Sequence, residues 1–258
     1  MESCAYDIEV FPNFFSIIFV DLHSDKSYTV YKINDTYSES FKDYDYITNK
    51  LKSLVGYNNL EFDDNMLKYF EEGRSNIELF ESAQALIHDD KIRYANLPIL
   101  TLDLFKIMHH DRKGISLKQC AINMQWPKIQ DLPLPHDAYI KEEDVQEILK
   151  YNMNDVLITK ELFHRVVNEI KLRIDVGEIY SVNVINKSRS GVGDKIMEKL
   201  YAEYTGTDPN SFKYNNTKRD KVAFKDCIHP KIQFKTNQLQ SLLHDLKNEV
   251  VICSEEEL

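Results

Sequence analysis

The stretch that decides the fold is Tyr6-Asp7-Ile8-Glu9-Val10-Phe11, YDIEVF. Its aromatic and β-branched residues read as a strand, yet two carboxylates stand two positions apart inside it. In a strand, residues i and i+2 share a face, so Asp7 and Glu9 stand side by side while Ile8 and Val10 point the other way. Two carboxylates held that close raise each other's pKa and are costly to bury unless a positive charge, most often a divalent metal, sits between them. The other reading is a solvated edge strand, on which acidic side chains discourage unwanted pairing.

Working outward, Pro12-Asn13 is a turn signal, residues 14–22 (FFSIIFVDL) are almost continuously apolar, and SYTVYKI after a second turn alternates. These segments read as an antiparallel meander. Residues 38–54 carry apolar side chains at helical spacing and read as a helix, with LVGYNN a short buried strand running into a loop. DDNMLKYFEEG and NIELFESAQALIHDD read as helices, Gly73 stopping the first. ILTLDLF (99–105) reads as a strand or extended segment, Ser116 as the cap of a short helix, and Pro127, Pro133 and Pro135 as marks of a loop. The longest helical signal spans 141–174. Strands with helices packed around them define an α/β sheet domain. Past Asp175 the pattern is helical on either side of Ser190-Gly191-Val192-Gly193. That stretch reads as an interhelical turn, because a phosphate-cradling loop would follow a strand. A polar Asn- and Lys-rich stretch, a last helix (TNQLQSLLHDLKNE) and an apolar run with an acidic tail complete the chain.

The 258 residues suffice for one large domain, or one with a smaller extension. No apolar run approaches the roughly 20 residues that cross a bilayer, and MESCAYDIEV lacks the basic-then-apolar pattern of a secretion signal. The expectation is a soluble cytoplasmic protein. Cys4, Cys120, Cys227 and Cys253 are far apart with no C-x-x-C pair, so neither a zinc ribbon nor a disulfide framework is expected. A net charge of −10 argues against gripping nucleic acid with the whole surface, but leaves room for a local site.

Two further acids join the opening pair. In GYNNLEFDDNML, Asp63 follows Phe62 and lies five positions after Asn58, with Asp64 as its rival. In LKYNMNDVLITKEL, Tyr151 and Asp155 are four positions apart in a helix and therefore on one face. Asp7-x-Glu9, Asn58-x-x-x-Phe62-Asp63 and Tyr151-x-x-x-Asp155, in that order, resemble the three motifs of the DEDD-type 3′-to-5′ exonucleases, and most of all the proofreading domain of family B DNA polymerases of phages and viruses. The resemblance covers roughly residues 5–165. It implies the tyrosine variety, since position 150, where the other variety carries histidine, is Lys150.

What the resemblance implies is specific. The fold is α/β, a ribonuclease H-like mixed sheet flanked by helices. Residues 1–175 form the exonuclease domain, and 176–258 a mostly helical extension or linker toward a polymerase module. Asp7, Glu9, Asp63 and Asp155 bind two divalent ions, Mg²⁺ or Mn²⁺: Asp7 bridges, Glu9 and Asp155 complete the nucleophile side, and Asp63 holds the second ion partly through water. Tyr151 orients the attacking water. Asn58 holds the substrate strand or supports the metal shell, Phe62 is a substrate contact or, the preferred reading, a core residue beside a catalytic Asp, and Asp103 stays outside the metal set as a structural or capping acid. The substrate is a single-stranded DNA 3′ end, the partner a polymerase module in cis or as a separate subunit, the setting an infected bacterial cytoplasm, with no membrane involved.

The residue types suit that chemistry independently. Phosphodiester hydrolysis needs charge relief, an activated water and a stabilised leaving oxygen, and two divalent ions about 4 Å apart serve all three. Such ions prefer hard oxygen ligands, which suits four carboxylates without Cys or His. A phenol with pKa near 10 is a poor base at neutral pH. Palm motifs of a polymerase are missing, so this chain does not polymerise alone: it is a stand-alone exonuclease, a split subunit or a piece of a longer protein. The alternatives are an RNA-trimming exonuclease and a non-catalytic replisome scaffold. By the same resemblance Trp126-Pro127-Lys128 flanks the DNA channel, while residues 109–114 (HHDRKG) and 215–221 (NNTKRDK) read as solvated loops.

Overall fold

The computed structural model describes residues 1–88, 95, 97–108, 114–208 and 220–252. Strands β1 (Ser3–Phe11), β2 (Phe14–Asp21) and β3 (Ser27–Ile33) form the expected meander, and Pro12-Asn13 sets Phe11 opposite Phe14. The short β4 (Thr36–Tyr37) pairs with β3. A 3₁₀ turn (Glu39–Asp43) leads into α1 (Tyr44–Thr48), β5 (Ser53–Gly56), α2 (Asp63–Glu71), α3 (Asn76–His88), β6 (Leu100–Asp103), α4 (Leu104–Met108), α5 (Leu117–Asn123) and α6 (Val145–Tyr180). The sheet order is β4-β3-β2-β1-β5-β6, antiparallel through β1 and parallel from β1 to β6. This is the mixed, helix-flanked α/β sheet of ribonuclease H-like folds. β1 is hydrogen-bonded to β2 from Cys4 to Phe11 and to β5 at Ser3–Ala5, so it is an interior strand, and Asp7 and Glu9, partly buried beyond that parallel ladder, lie on the face that α6 covers and not at a solvated edge.

The period-two alternation of β1 divides the core. Tyr6 and Ile8, with Phe15, Ile17 and Phe19 of β2, pack against Met66, Leu67, Phe70 and Leu79 of α2 and α3. Ala5 and Ile18, on the opposite face, pack with Val156, Ile158 and Leu162 of α6, while Phe11 and Phe14 meet Val145 and Ile148 farther up the same helix. Asp7 and Glu9 lie on this α6 face between the two apolar contacts.

Three segments differ from the sequence expectation. Helix stops at Thr48 and not at residue 54, because the Lys52 and Ser53 N–H groups donate to the Glu2 carbonyl and begin the parallel ladder of β5. Helix α6 starts later and ends later than 141–174: residues 141–144 form a capping turn in which the Lys141 N–H donates to the Asp144 carboxylate. The Gly191 region is no turn, since it lies inside α7 (Arg189–Thr205). Ser188 caps that helix, its hydroxyl accepting from the Gly191 N–H at 3.3 Å, and the interhelical break falls at 181–188. Gly73 ends its helix as expected, with φ at +81°.

The chain forms two compact units, Met1–Leu200 and Tyr201–Leu258. In the second, β7 (Lys221–Ala223) pairs antiparallel with β8 (Val250–Ile252), with α8 (Phe224–Cys227) and α9 (Asn237–Asn248) between them in sequence. Cys4, Cys120 and Cys227 are unbridged, and Cys253 lies outside the described residues. Among the described residues, no helix is long and apolar enough to cross a membrane.

Candidate functional site

Strand β1 supplies Asp7 and Glu9, and α6, lying over that face, supplies Asp155. One carboxylate oxygen from each lies within 4.8 Å of the other two. The helix positions Asp155 because Ile148 and Val156 anchor the neighbouring stripe in the core. Tyr151, one turn earlier on the same face, stands close enough to Asp155 for each to shift the other's pKa. Both line a cleft of about 240 Å³ whose other wall is built by Ser116, Lys118, Gln130 and Asp131.

The electrostatics are one-sided. Burial, then Asp63, Glu9 and Asp155, hold the Asp7 carboxyl well above the usual range. Burial, Asp155 and Asp63 do the same to Glu9. Burial lifts Asp155 to about 6 against the opposing influence of the Tyr151 hydroxyl, and lifts Asp63 to about 8 with help from Asp64, against the backbone N–H groups near it, Ile8's included. The Tyr151 hydroxyl is pushed upward by burial and by Asp155 and Glu9. No basic side chain is among the influences on Asp7 or Glu9. Three converging hard oxygens without a counter-charge are a donor set that suits a Mg²⁺- or Mn²⁺-like cation.

The remaining sequence candidates separate. Asp63, the first residue of α2, is felt electrostatically at Asp7 and Glu9 but is not a member of the close trio. Its rival Asp64 is turned into the core, where the Tyr6 hydroxyl and the Asn59 amide (2.9 Å) both donate to one of its oxygens. Asn58 adopts φ of +63° and donates its backbone N–H to Asp103 at 2.9 Å. Asp103, fully buried, also accepts from the Phe105 N–H at 2.9 Å, so it caps α4 and ties down the Asn58 loop. That is the structural role that kept it out of the metal set. Phe62 packs against the α2–α3 side of the sheet as a partly buried core residue.

Trp126 does not line the cleft; its indole N–H donates to Asn154 at 3.0 Å. Residues 109–113 and 215–219 lie outside the described residues. The Tyr6–Asp64–Asn59 network behind the site was missed in the sequence, although a tyrosine on the apolar, α2-facing side of β1 is its visible trace.

A ribonuclease H-like sheet whose interior strand and crossing helix converge three carboxylates defines the class: an α/β protein with an acidic centre beside a cleft. Among solved structures the chain is similar to the family B DNA polymerase from the hyperthermophilic archaeon Pyrobaculum calidifontis, with a TM-score of 0.51 and 15% identity, over 80% of this chain and 29% of that one. The likeness is one of fold, and the chain spans less than a third of that polymerase's length. No family model and no curated protein matches the chain.

Proposed function

We propose that the chain is a two-metal-ion 3′-to-5′ exonuclease that removes nucleotides from single-stranded DNA ends as nucleoside 5′-monophosphates. It would serve as a proofreading module for a polymerase in cis or in a separate subunit. The observation that carries the reading is the Asp7–Glu9–Asp155 trio, its oxygens within 4.8 Å and its charge unopposed, with Tyr151 beside it at a cleft. The fold likeness to a family B polymerase supports it, and the direction of attack comes from the motif resemblance.

In this reading Asp7, Glu9 and Asp155 would hold divalent cations, with Asp63, the first residue of α2, as the further carboxylate of the set. Bound there, the cations would supply charge relief at the phosphate and a water acidic enough to attack at neutral pH. The chain's own groups do the rest. Tyr151, whose hydroxyl is pushed upward by burial and then by Asp155 and Glu9, stays protonated beside the trio at the cleft, where it would orient the water without acting as base. Ser116, whose hydroxyl caps α5, and Lys118, paired with Asp131, line the same cleft, where a strand end would lie against them.

The test is a gel time course on single-stranded DNA labelled at its 5′ end, with Mg²⁺, Mn²⁺ or EDTA, beside Asp7→Asn and an RNA of the same sequence. A metal-dependent ladder shrinking from the 3′ end and absent in the variant is expected. Degradation of RNA alone would replace the substrate class, and no degradation of either by the wild-type chain would overturn the enzymatic reading.

A further inference from the structure

Behind the carboxylates lie two polar side chains that the mechanism above does not use. The buried stripe of α6 runs Val145, Ile148, Asn152, Val156, spaced so that all four face the sheet. Ile148 packs on Phe11 and Phe14, and Val156 on Ala5 and Ile18. Asn152, between them, therefore faces the middle of β1, where Asp7 and Glu9 stand. On β2, Ser16 is the residue paired directly with Glu9, so the two side chains share a face.

Asn152 and Ser16 are both 0% exposed, and neither amide atom of Asn152 nor the Ser16 hydroxyl has a hydrogen-bond partner. In Asn59, Asp64 and Asp103, by contrast, at least one side-chain atom is bonded. Packing alone would favour aliphatic residues here, as the neighbours Ile148 and Val156 show. Idle polar groups buried against a carboxylate centre are what remains when the species that organises it is missing.

We propose that Asn152 and Ser16 are positioning residues for Glu9. Once a divalent cation occupies the trio, the Asn152 amide N–H donates to the Glu9 carboxylate, the Ser16 hydroxyl donates to the Asn152 amide oxygen, and Glu9 is fixed in its cation-binding orientation. The inference rests on the reading of the trio as a divalent-cation centre.

Mn²⁺ titrations of the full chain followed by electron paramagnetic resonance, with melting curves of the metal-free protein, test it on wild type, Asn152→Leu, Ser16→Ala, Glu9→Gln and the Asn152→Leu/Glu9→Gln pair. The expected result is a loss of Mn²⁺ affinity of about tenfold or more in Asn152→Leu, at a metal-free melting temperature equal to or above wild type. A smaller loss in Ser16→Ala, and no further loss when Asn152→Leu is added to Glu9→Gln, complete the pattern. If Asn152→Leu melts lower, Ser16→Ala decides: weaker Mn²⁺ binding at an unchanged melting temperature sustains the proposal. Unchanged affinity in both single variants, or full additivity with Glu9→Gln, overturns it. A wild-type chain that fails to bind Mn²⁺ removes the cation centre itself and this proposal with it, whereas wild-type binding indifferent to both variants removes the positioning role alone.

Discussion

Asp7, partly buried, and Asp64 and Asp103, buried, are three aspartates whose surroundings give them three different roles. Asp103 accepts backbone N–H bonds from Asn58 and Phe105, so Asp103→Ala strips the cap from α4 and frees the Asn58 loop. A loss of roughly 1–3 kcal/mol in urea unfolding is expected. Asp7 is the opposite case: burial and three like charges work against its ionised form, so Asp7→Asn raises the stability of the metal-free chain at pH 8. Each kcal/mol gained moves the melting temperature by about 2–4 °C in a chain of this size. A melting temperature that falls on Asp7→Asn would contradict the unopposed-charge account. That Asp63 stands at the join of loop and helix was legible in the sequence. The burial of Asp64 under Tyr6 was not, since that contact joins residues 58 positions apart.

At the scale of elements, the joints between helices and strands carry the stability. Arg173 on α6 is 1% exposed and donates to three carbonyls, Ile107 at the end of α4 (3.0 Å), Glu169 (2.7 Å) and Lys187 in the segment before α7 (2.8 Å). Arg173→Leu removes these bonds and takes their arginine donor from the Ile107 and Lys187 carbonyls, and its expected cost is about 3 kcal/mol or more by urea unfolding. Mn²⁺ affinity at 25 °C should stay at the wild-type value, because Asp155 lies five turns away along the helix. Gly56 at the end of β5 answers a different need: a Cβ there would lie 2.5 Å from the Asn59 Cβ, so Gly56→Ala displaces the loop that leads to Asp63. The end of α6 escaped the sequence because the composition shifts past Asp175, just before Gly177. In the structure Gly177 occupies the last turn, where the Val182 N–H closes on its carbonyl at 3.1 Å and Ser181 takes φ of +51°. The meander and the Tyr151–Asp155 face were legible because local periodicity sets both, whereas β5 is set by pairing with a strand some 50 positions earlier.

For the molecule as a whole, the acidic centre predicts an unusual dependence of stability on pH. Asp7, Glu9, Asp63 and Asp155 all have folded-state values above those of an unfolded chain, Asp63 at about 8 and Asp155 at about 6, and Asp103 is lifted to about 6 as well. The unfolded values are near 4. Between pH 4 and 8 the folded chain therefore binds more protons than the unfolded one, and the sign of the linkage makes unfolding easier as pH rises. In EDTA the melting temperature should fall steadily from pH 5 to 8, and Asp7→Asn should flatten that slope. Mn²⁺ competes with the same protons, so its stabilisation should grow with pH and oppose the trend. A melting series at pH 5, 6, 7 and 8 with EDTA or Mn²⁺ checks both arms. Stability that rises with pH in EDTA would mean that the carboxylates ionise without penalty, in which case their convergence on one face of the sheet would need no cation to account for it.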